Sequence, residues 1–153
     1  MNFTGNQDSK TWMILFRPPT GWDRSLFWGD GGANATYYAA FRSTTAEGTA
    51  YSGWSTAWSG ETVTNYVNGT NIGTSRINAY NALEHAKVNS VITTGLQFPS
   101  TYLVYAQHSG YIITHEVYAI VFWDAVLTAT EVQAAHNYYR NIIGSSNMAA
   151  WSG

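Results

Sequence analysis

The chain contains no cysteine, and only 10% of its 153 residues are charged. The absence of cysteine excludes disulfides, thiolate metal sites and a cysteine nucleophile. The formal net charge of −2 gives no electrostatic reason to expect nucleic-acid binding. No apolar run approaches the roughly 20 residues that span a bilayer, so membrane insertion is not expected.

Aromatic and hydroxyl-bearing residues are abundant instead. Aromatic residues make up 16% of the chain and hydrophobic residues 45%, which is enough to fill the core of one domain. Surface polarity comes from 31 Ser and Thr and 12 Asn residues. A weakly charged surface rich in hydroxyl and amide groups suits a protein that faces the outside of the cell better than a cytosolic enzyme.

Short β-branched and aromatic runs, separated by turn residues, predict seven to nine strands. The clearest runs lie at 11–17, 25–29, 35–42, 61–67, 84–94, 101–107 and 115–124. Asn68-Gly69 after the fourth run is a strong signal for a tight hairpin. Many short strands with regular turns favour an antiparallel sandwich or barrel.

One helix is predicted, over 129–143. Thr128 and Glu131 form a capping box at its start, and Leu127 and Val132 are spaced for a hydrophobic staple. Apolar residues then recur at helical spacing until a glycine ends the pattern. The domain is therefore expected to span 1–144, and a tail at 145–153 is expected to be frayed or packed against a partner.

Four segments together resemble a known family. They are "TWMILFRPPT" (11–20), "NYVNG" (65–69), "LEHAKVNSVIT" (83–93) and "EVYAIVFWDAVLTATEVQAAHNYY" (116–139). They are similar to framework motifs of concanavalin A-like lectin/glucanase domains, including laminin-G-like domains. The last segment is the most specific, because it resembles the family's closing strand and the helix that follows it. Its matching residues are Leu127, Thr128, Glu131, Val132 and Tyr138 or Tyr139.

The resemblance implies an all-β fold, a two-sheet antiparallel jelly-roll sandwich with one C-terminal α-helix. Domains of this kind often bind glycans and sometimes Ca²⁺, and variants with a similar opening occur in phage virion and tail proteins and in bacterial surface proteins. The implied partners are a cell-surface glycan or other polysaccharide, and other virion or surface proteins. Analogy with tail fibres adds a homotrimer as an associational expectation.

Glu116 and Asp124, with His115 beside the first, are the obvious candidates for an acid/base pair. Eight residues of straight strand separate the two carboxylates by roughly 26 Å. Glycosidases need their two carboxyl groups about 5–9.5 Å apart. The chain also lacks the Glu-x-Asp-x-x-Glu run of hydrolases that share this sandwich, so a non-catalytic domain is expected.

The four histidines do not form a recognisable metal motif. His85, His108 and His115 lack zinc-ligand spacing. His136 lies on the predicted helix and is interpreted as a partly buried packing residue.

Aromatic residues in "AYSGWSTAWSG" (50–60) are the first candidate binding site. Tyr51, Trp54 and Trp58 lie among Ser, Thr and Gly. If exposed, such rings can stack on the apolar face of a sugar while neighbouring polar groups bind its hydroxyls. The alternative is that these indoles fill the core.

The segment "TGWDRSLFWGDGGAN" (20–34) is the second candidate. Trp22, Asp23 and Arg24 could bind a sugar, and Asp30 and Asn34 offer the oxygen ligands that Ca²⁺ prefers. The alternative is ordinary turn chemistry with a local ion pair between Asp23 and Arg24.

The sequence thus favours a non-catalytic, carbohydrate-binding recognition domain on a virion or extracellular surface protein. Two alternatives remain open. One is a structural or decorating virion module that binds protein partners. The other is a glycan hydrolase or lyase whose carboxylates converge from separate loops.

Overall fold

The computed structural model describes residues 2–4, 10–18, 24–29, 39–42, 64–73, 76–95, 101–104 and 116–153. For the strands at 2–4, 24–29, 39–42 and 101–104, the backbone alone is described. Within these ranges the chain is mostly β, with antiparallel strand pairing and a long C-terminal helix, as the sequence predicts.

The described strands, in chain order, are β1 (Asn2–Thr4), β2 (Thr11–Arg17), β3 (Arg24–Gly29), β4 (Ala39–Arg42), β5 (Thr64–Val67), β6 (Thr70–Asn71), β7 (Asn89–Thr94), β8 (Thr101–Val104) and β9 (Glu116–Trp123). The described helices are α1 (Arg76–Asn81) and α2 (Ala129–Ile143).

A five-stranded antiparallel sheet has the order β6-β5-β7-β2-β9, and β1-β8-β3-β4 form a second hydrogen-bonded set. The predicted hairpin between β5 and β6 is confirmed. Asn68 and Gly69 have φ values of 50° and 94°, which the tight turn requires and which Asn and Gly tolerate best.

Strand β2 is buried on both of its faces. Met13 and Leu15 point towards α2 and pack in one cluster with Val132 of that helix. Trp12, Ile14 and Phe16 alternate with them and therefore point to the opposite face, where they are also fully buried. Strand β2 is therefore inaccessible to solvent on both faces.

Helix α2 begins and ends as predicted. The Thr128 side chain accepts from the Glu131 backbone N–H, and the Glu131 carboxylate accepts from the Thr128 N–H at 2.8 Å. Leu127 and Val132 both belong to the core, as the predicted staple requires. Gly144, at φ 98°, ends the helix and donates its N–H to the Arg140 carbonyl.

The segment before β7 differs from the predicted strand over 84–94, because β7 begins only at Asn89. The Asn89 amide accepts from the Glu84 N–H at 2.7 Å and donates to the carbonyls of Glu84 and Lys87 at 2.9 Å each. These bonds close a turn on the sequence that alternates like a strand. The short helix α1, which contacts β4, was not predicted either.

The prediction of a frayed tail is wrong. Met148 and Ala149 are fully buried, and Ala149 donates its N–H to the Val88 carbonyl at 2.9 Å. Trp151 lies against the hairpin turn, where a Cβ on Gly69 would come within 2.6 Å of its indole. The tail is therefore part of the domain.

Candidate functional site

The residues proposed from sequence as ligand contacts fall outside the described side chains. This holds for Tyr51, Trp54, Trp58, Trp22, Asp23, Asp30 and Asn34, and for Arg24, of which only the backbone in β3 is described. The candidate Ca²⁺ ligands Asp30 and Asn34 belong to this set. His108 and His115, which were not proposed as ligand contacts, also lie outside the described residues. Those site assignments remain predictions.

Glu116 is the first residue of β9, and Asp124 directly follows its last residue. Glu116 pairs with Arg17, whereas Trp123, next to Asp124, pairs with Thr11. Thr11 and Arg17 are six positions apart on β2, which corresponds to roughly 20 Å. This geometry excludes Glu116 and Asp124 as a glycosidase pair. The described residues also contain no group of three or more metal-ligating side chains.

Glu116 instead belongs to an exposed cluster with Arg17 and Tyr118. Arg17 Nη1 donates to Glu116 Oε2 at 3.1 Å, and the Tyr118 hydroxyl donates to the same oxygen at 3.0 Å. The guanidinium carbon of Arg17 lies 5.4 Å from the centroid of the Tyr118 ring. One carboxylate oxygen thus holds a cation and a phenol in fixed positions.

A β-bulge places Tyr118 in this cluster. Phe16 pairs with Val117 and Leu15 pairs with Ala119, so Tyr118 is the additional residue on β9. Bulges interrupt strand alternation and redirect a side chain. Desolvation and the hydrogen bond to Glu116 raise the pKa of Tyr118, so the phenol remains a protonated donor at neutral pH.

Ser90 and His136 form a second polar pair, with 2.7 Å between Ser90 Oγ and His136 Nδ1. Both residues are fully buried, and the edge of the Trp151 ring system closes over the imidazole, with ring centroids 5.3 Å apart. A nucleophilic serine must be accessible to its substrate, whereas Ser90 is buried. His136 is thus a packing residue as predicted, but buried completely rather than partly.

Burial lowers the pKa of His136 to about 4; the nearby Ala149 backbone opposes this shift and the Arg140 charge adds to it. His136 Nε2 makes no hydrogen bond of good geometry within the described part of the chain, so the Ala149 contact is at best a weak one. The imidazole is therefore neutral at physiological pH.

Buried amides hold the framework together around the hairpin turn. Asn68 Nδ2 donates to Asn89 Oδ1 at 2.7 Å, and Asn68 Oδ1 accepts from the Ser90 N–H at 3.0 Å. Asn65 accepts from Thr93 Oγ1 at 2.8 Å in the same sheet. These groups are satisfied by one another, so their role is structural.

The outer surface of α2 carries exposed apolar side chains. Tyr138 is 61% exposed and Ile142 is 63% exposed. They lie one turn apart and form a short apolar stripe. No helix in the described ranges has the length and apolar character that a membrane span requires.

Arg17 and Tyr118 were not recognised from sequence as site residues. Arg17 stood at the end of a predicted strand before two prolines, but only the β2–β9 register brings it to Glu116. Comparison with known proteins adds no assignment, because no protein-family model, curated protein or solved structure matches the chain.

Proposed function

We propose that this chain is a non-catalytic recognition domain that binds carbohydrate, built as a concanavalin A-like, two-sheet jelly roll and carried on a virion or extracellular surface protein. The observation that carries the proposal is the exposed cluster of Tyr118, Arg17 and Glu116. Aromatic and planar polar groups side by side are what a sugar needs for stacking and hydroxyl bonding.

The burial of β2 supports the two-sheet part of this proposal. Its helix-facing residues pack under α2, and its other face is buried as well. The hydrogen-bonded set β1-β8-β3-β4 is the natural candidate for the covering layer, since a sandwich buries the inner faces of two sheets against each other.

The separation of Glu116 and Asp124 favours binding over glycan cleavage. Buried polar side chains such as Asn68 and Asn89 are engaged in framework bonds. Ser90 and His136 are sealed from solvent. The described residues therefore offer contacts for a ligand but no reacting pair.

A structural or decorating virion module is the second candidate, and the exposed stripe of Tyr138 and Ile142 favours it. Such a module would assemble through that stripe with another virion or surface protein, or as a homotrimer.

A glycan array probed with the folded domain, with and without EDTA, tests the proposal. We expect binding to a restricted set of glycans, and loss of binding in EDTA only if Ca²⁺ at Asp30 and Asn34 takes part. A folded domain that binds no glycan, and that elutes as an oligomer by light scattering, would favour the structural module.

A further inference from the structure

We infer that Arg17, Glu116 and Tyr118 form a binding subsite for an uncharged pyranose ring. This inference rests on the proposed carbohydrate-binding function and names the residues and the sugar class. Arg17 and Tyr118 were not candidates on sequence grounds, and Glu116 was considered there only as half of an acid/base pair. The structure brings the three together from β2 and β9.

The cluster has free capacity for a ligand. Both described hydrogen bonds to the Glu116 carboxylate go to Oε2, so Oε1 makes none within the described residues. The Glu116 side chain is 64% exposed and that of Arg17 is 34% exposed.

The aromatic ring is positioned for stacking. Tyr118 is 44% exposed, and the Arg17 guanidinium lies over one of its faces. A pyranose has an apolar face of C–H bonds, which can pack against the exposed part of the ring. Vicinal hydroxyls at its rim can then donate to Glu116 Oε1 and accept from the guanidinium.

Charge balance selects the class of sugar. The positive charge of Arg17 and the negative charge of Glu116 compensate each other at 3.1 Å. An anionic sugar would meet the carboxylate, and a cationic one would meet the guanidinium. A neutral hexose or N-acetylhexosamine avoids both repulsions.

The cluster is also held in place before any ligand arrives. The ion pair, the phenol hydrogen bond and the cation–π contact restrict all three side chains. Preorganised groups lose less conformational entropy on binding. Because an exposed ion pair contributes little to folding stability, its removal should leave the domain folded.

The test uses an array of immobilised glycans that end in glucose, mannose, galactose or N-acetylglucosamine, alongside sialylated and sulfated glycans. We expect the unmodified domain to prefer uncharged glycans. Tyr118→Ala should weaken that binding by about tenfold or more, the range for losing a stacked ring and its ordered neighbours.

Glu116→Gln should change the preference among glycans, which would not change if Glu116 had only a structural role. It removes the negative charge and leaves Arg17 uncompensated. Binding to neutral glycans should fall by about tenfold, as for a lost charge-assisted hydrogen bond. The relative signal from sialylated and sulfated glycans should rise.

Two matched controls separate the site from general surface effects. Val126→Ala removes part of another exposed apolar side chain, one that lies outside the stripe on α2, and Glu84→Gln removes another exposed carboxylate, one that pairs with Lys87 at 2.6 Å. Neither control should alter glycan binding, and thermal unfolding should show all four variants folded.

The possible failures are distinguishable. If the unmodified domain binds no glycan, the proposed function and this inference both fail. If it binds uncharged glycans but Tyr118→Ala and Glu116→Gln behave like the controls, the function stands and the subsite is wrong. A preference of the unmodified domain for anionic glycans would also overturn the inference.

Discussion

At the scale of single residues, His136 shows how a polar side chain is kept neutral inside the core. Its Nδ1 lies 2.7 Å from Ser90 Oγ, and the tail residues Ala149 and Trp151 cover the ring. A proton on this ring would place a charge in the core beside Arg140, which is why its pKa falls to about 4. Protonation of the imidazole is therefore coupled to the packing of the tail against the core.

We predict that the stability contributed by His136 is lost in mild acid. The folded-state pKa of about 4 lies below the ordinary value of 6.5. Between pH 4 and pH 6.5 the unfolded chain therefore binds the proton more readily than the folded chain. The contribution is complete above about pH 6.5 and declines as the pH falls to about 4. Its size is at most about 3 kcal/mol.

Urea unfolding from pH 4 to pH 7.5, compared with His136→Gln, isolates this contribution. Carboxylates also change stability with pH, but they do so in both proteins. The difference in unfolding free energy between the two should therefore shrink as the pH falls from 6.5 to 4. A constant difference across that range would show that His136 titrates normally.

At the scale of elements, the two glycines that flank β6 both have a positive φ, but only one of them contacts the docked tail. Gly69 and Gly73 have φ values of 94° and 58°. A Cβ on Gly69 would lie 2.6 Å from the Trp151 indole, whereas a Cβ on Gly73 would meet nothing within 4 Å. Substitutions at the two sites therefore distinguish the cost of backbone strain, present at both, from the cost of a clash with the tail, present only at Gly69.

Gly73→Ala should destabilise the domain by about 1 kcal/mol, through backbone strain alone. Gly69→Ala should cost about 2–4 kcal/mol, because it adds a clash with a rigid ring in a buried contact. Chemical denaturation of both variants measures the difference. In a Trp151→Ala background the extra cost of Gly69→Ala should shrink, and equal costs for both glycines from the outset would refute the close contact.

Local signals explain which elements could be predicted. The bounds of β2 and α2 agree with the sequence because a β-branched run ends at a proline and a capping box starts the helix. The start of β7 could not be found by alternation, since the Asn89 side chain folds the preceding residues into a turn. The tail was misinterpreted because the gap at Gly69 that receives Trp151 exists only in the folded chain.

At the scale of the whole molecule, antiparallel pairing and the C-terminal helix follow from the strand and turn pattern. The site does not follow in the same way. Arg17 and Glu116 are 99 positions apart, and only the register of β2 against β9 joins them. The bulge that turns Tyr118 towards them cannot be recognised from the sequence. The neighbouring residues Val117 and Ala119 are apolar and continue the hydrophobic pattern of the strand before and after Tyr118.

The burial of β2 on both faces yields a test of the two-layer fold. Ile14 and Leu15 are adjacent and fully buried, but they point to opposite faces of the sheet. Each substitution to alanine should lower the unfolding free energy by about 2–5 kcal/mol, because each leaves a cavity in a packed layer. Ile142→Ala, at a position that is 63% exposed, serves as the control and should change it by about 0.5 kcal/mol or less. If the face of Ile14 were open to solvent, Ile14→Ala would resemble Ile142→Ala while Leu15→Ala remained costly.

Equal and large losses of unfolding free energy at Ile14 and Leu15 require a layer on each side of β2, which is the arrangement that a sandwich with an outer helix provides.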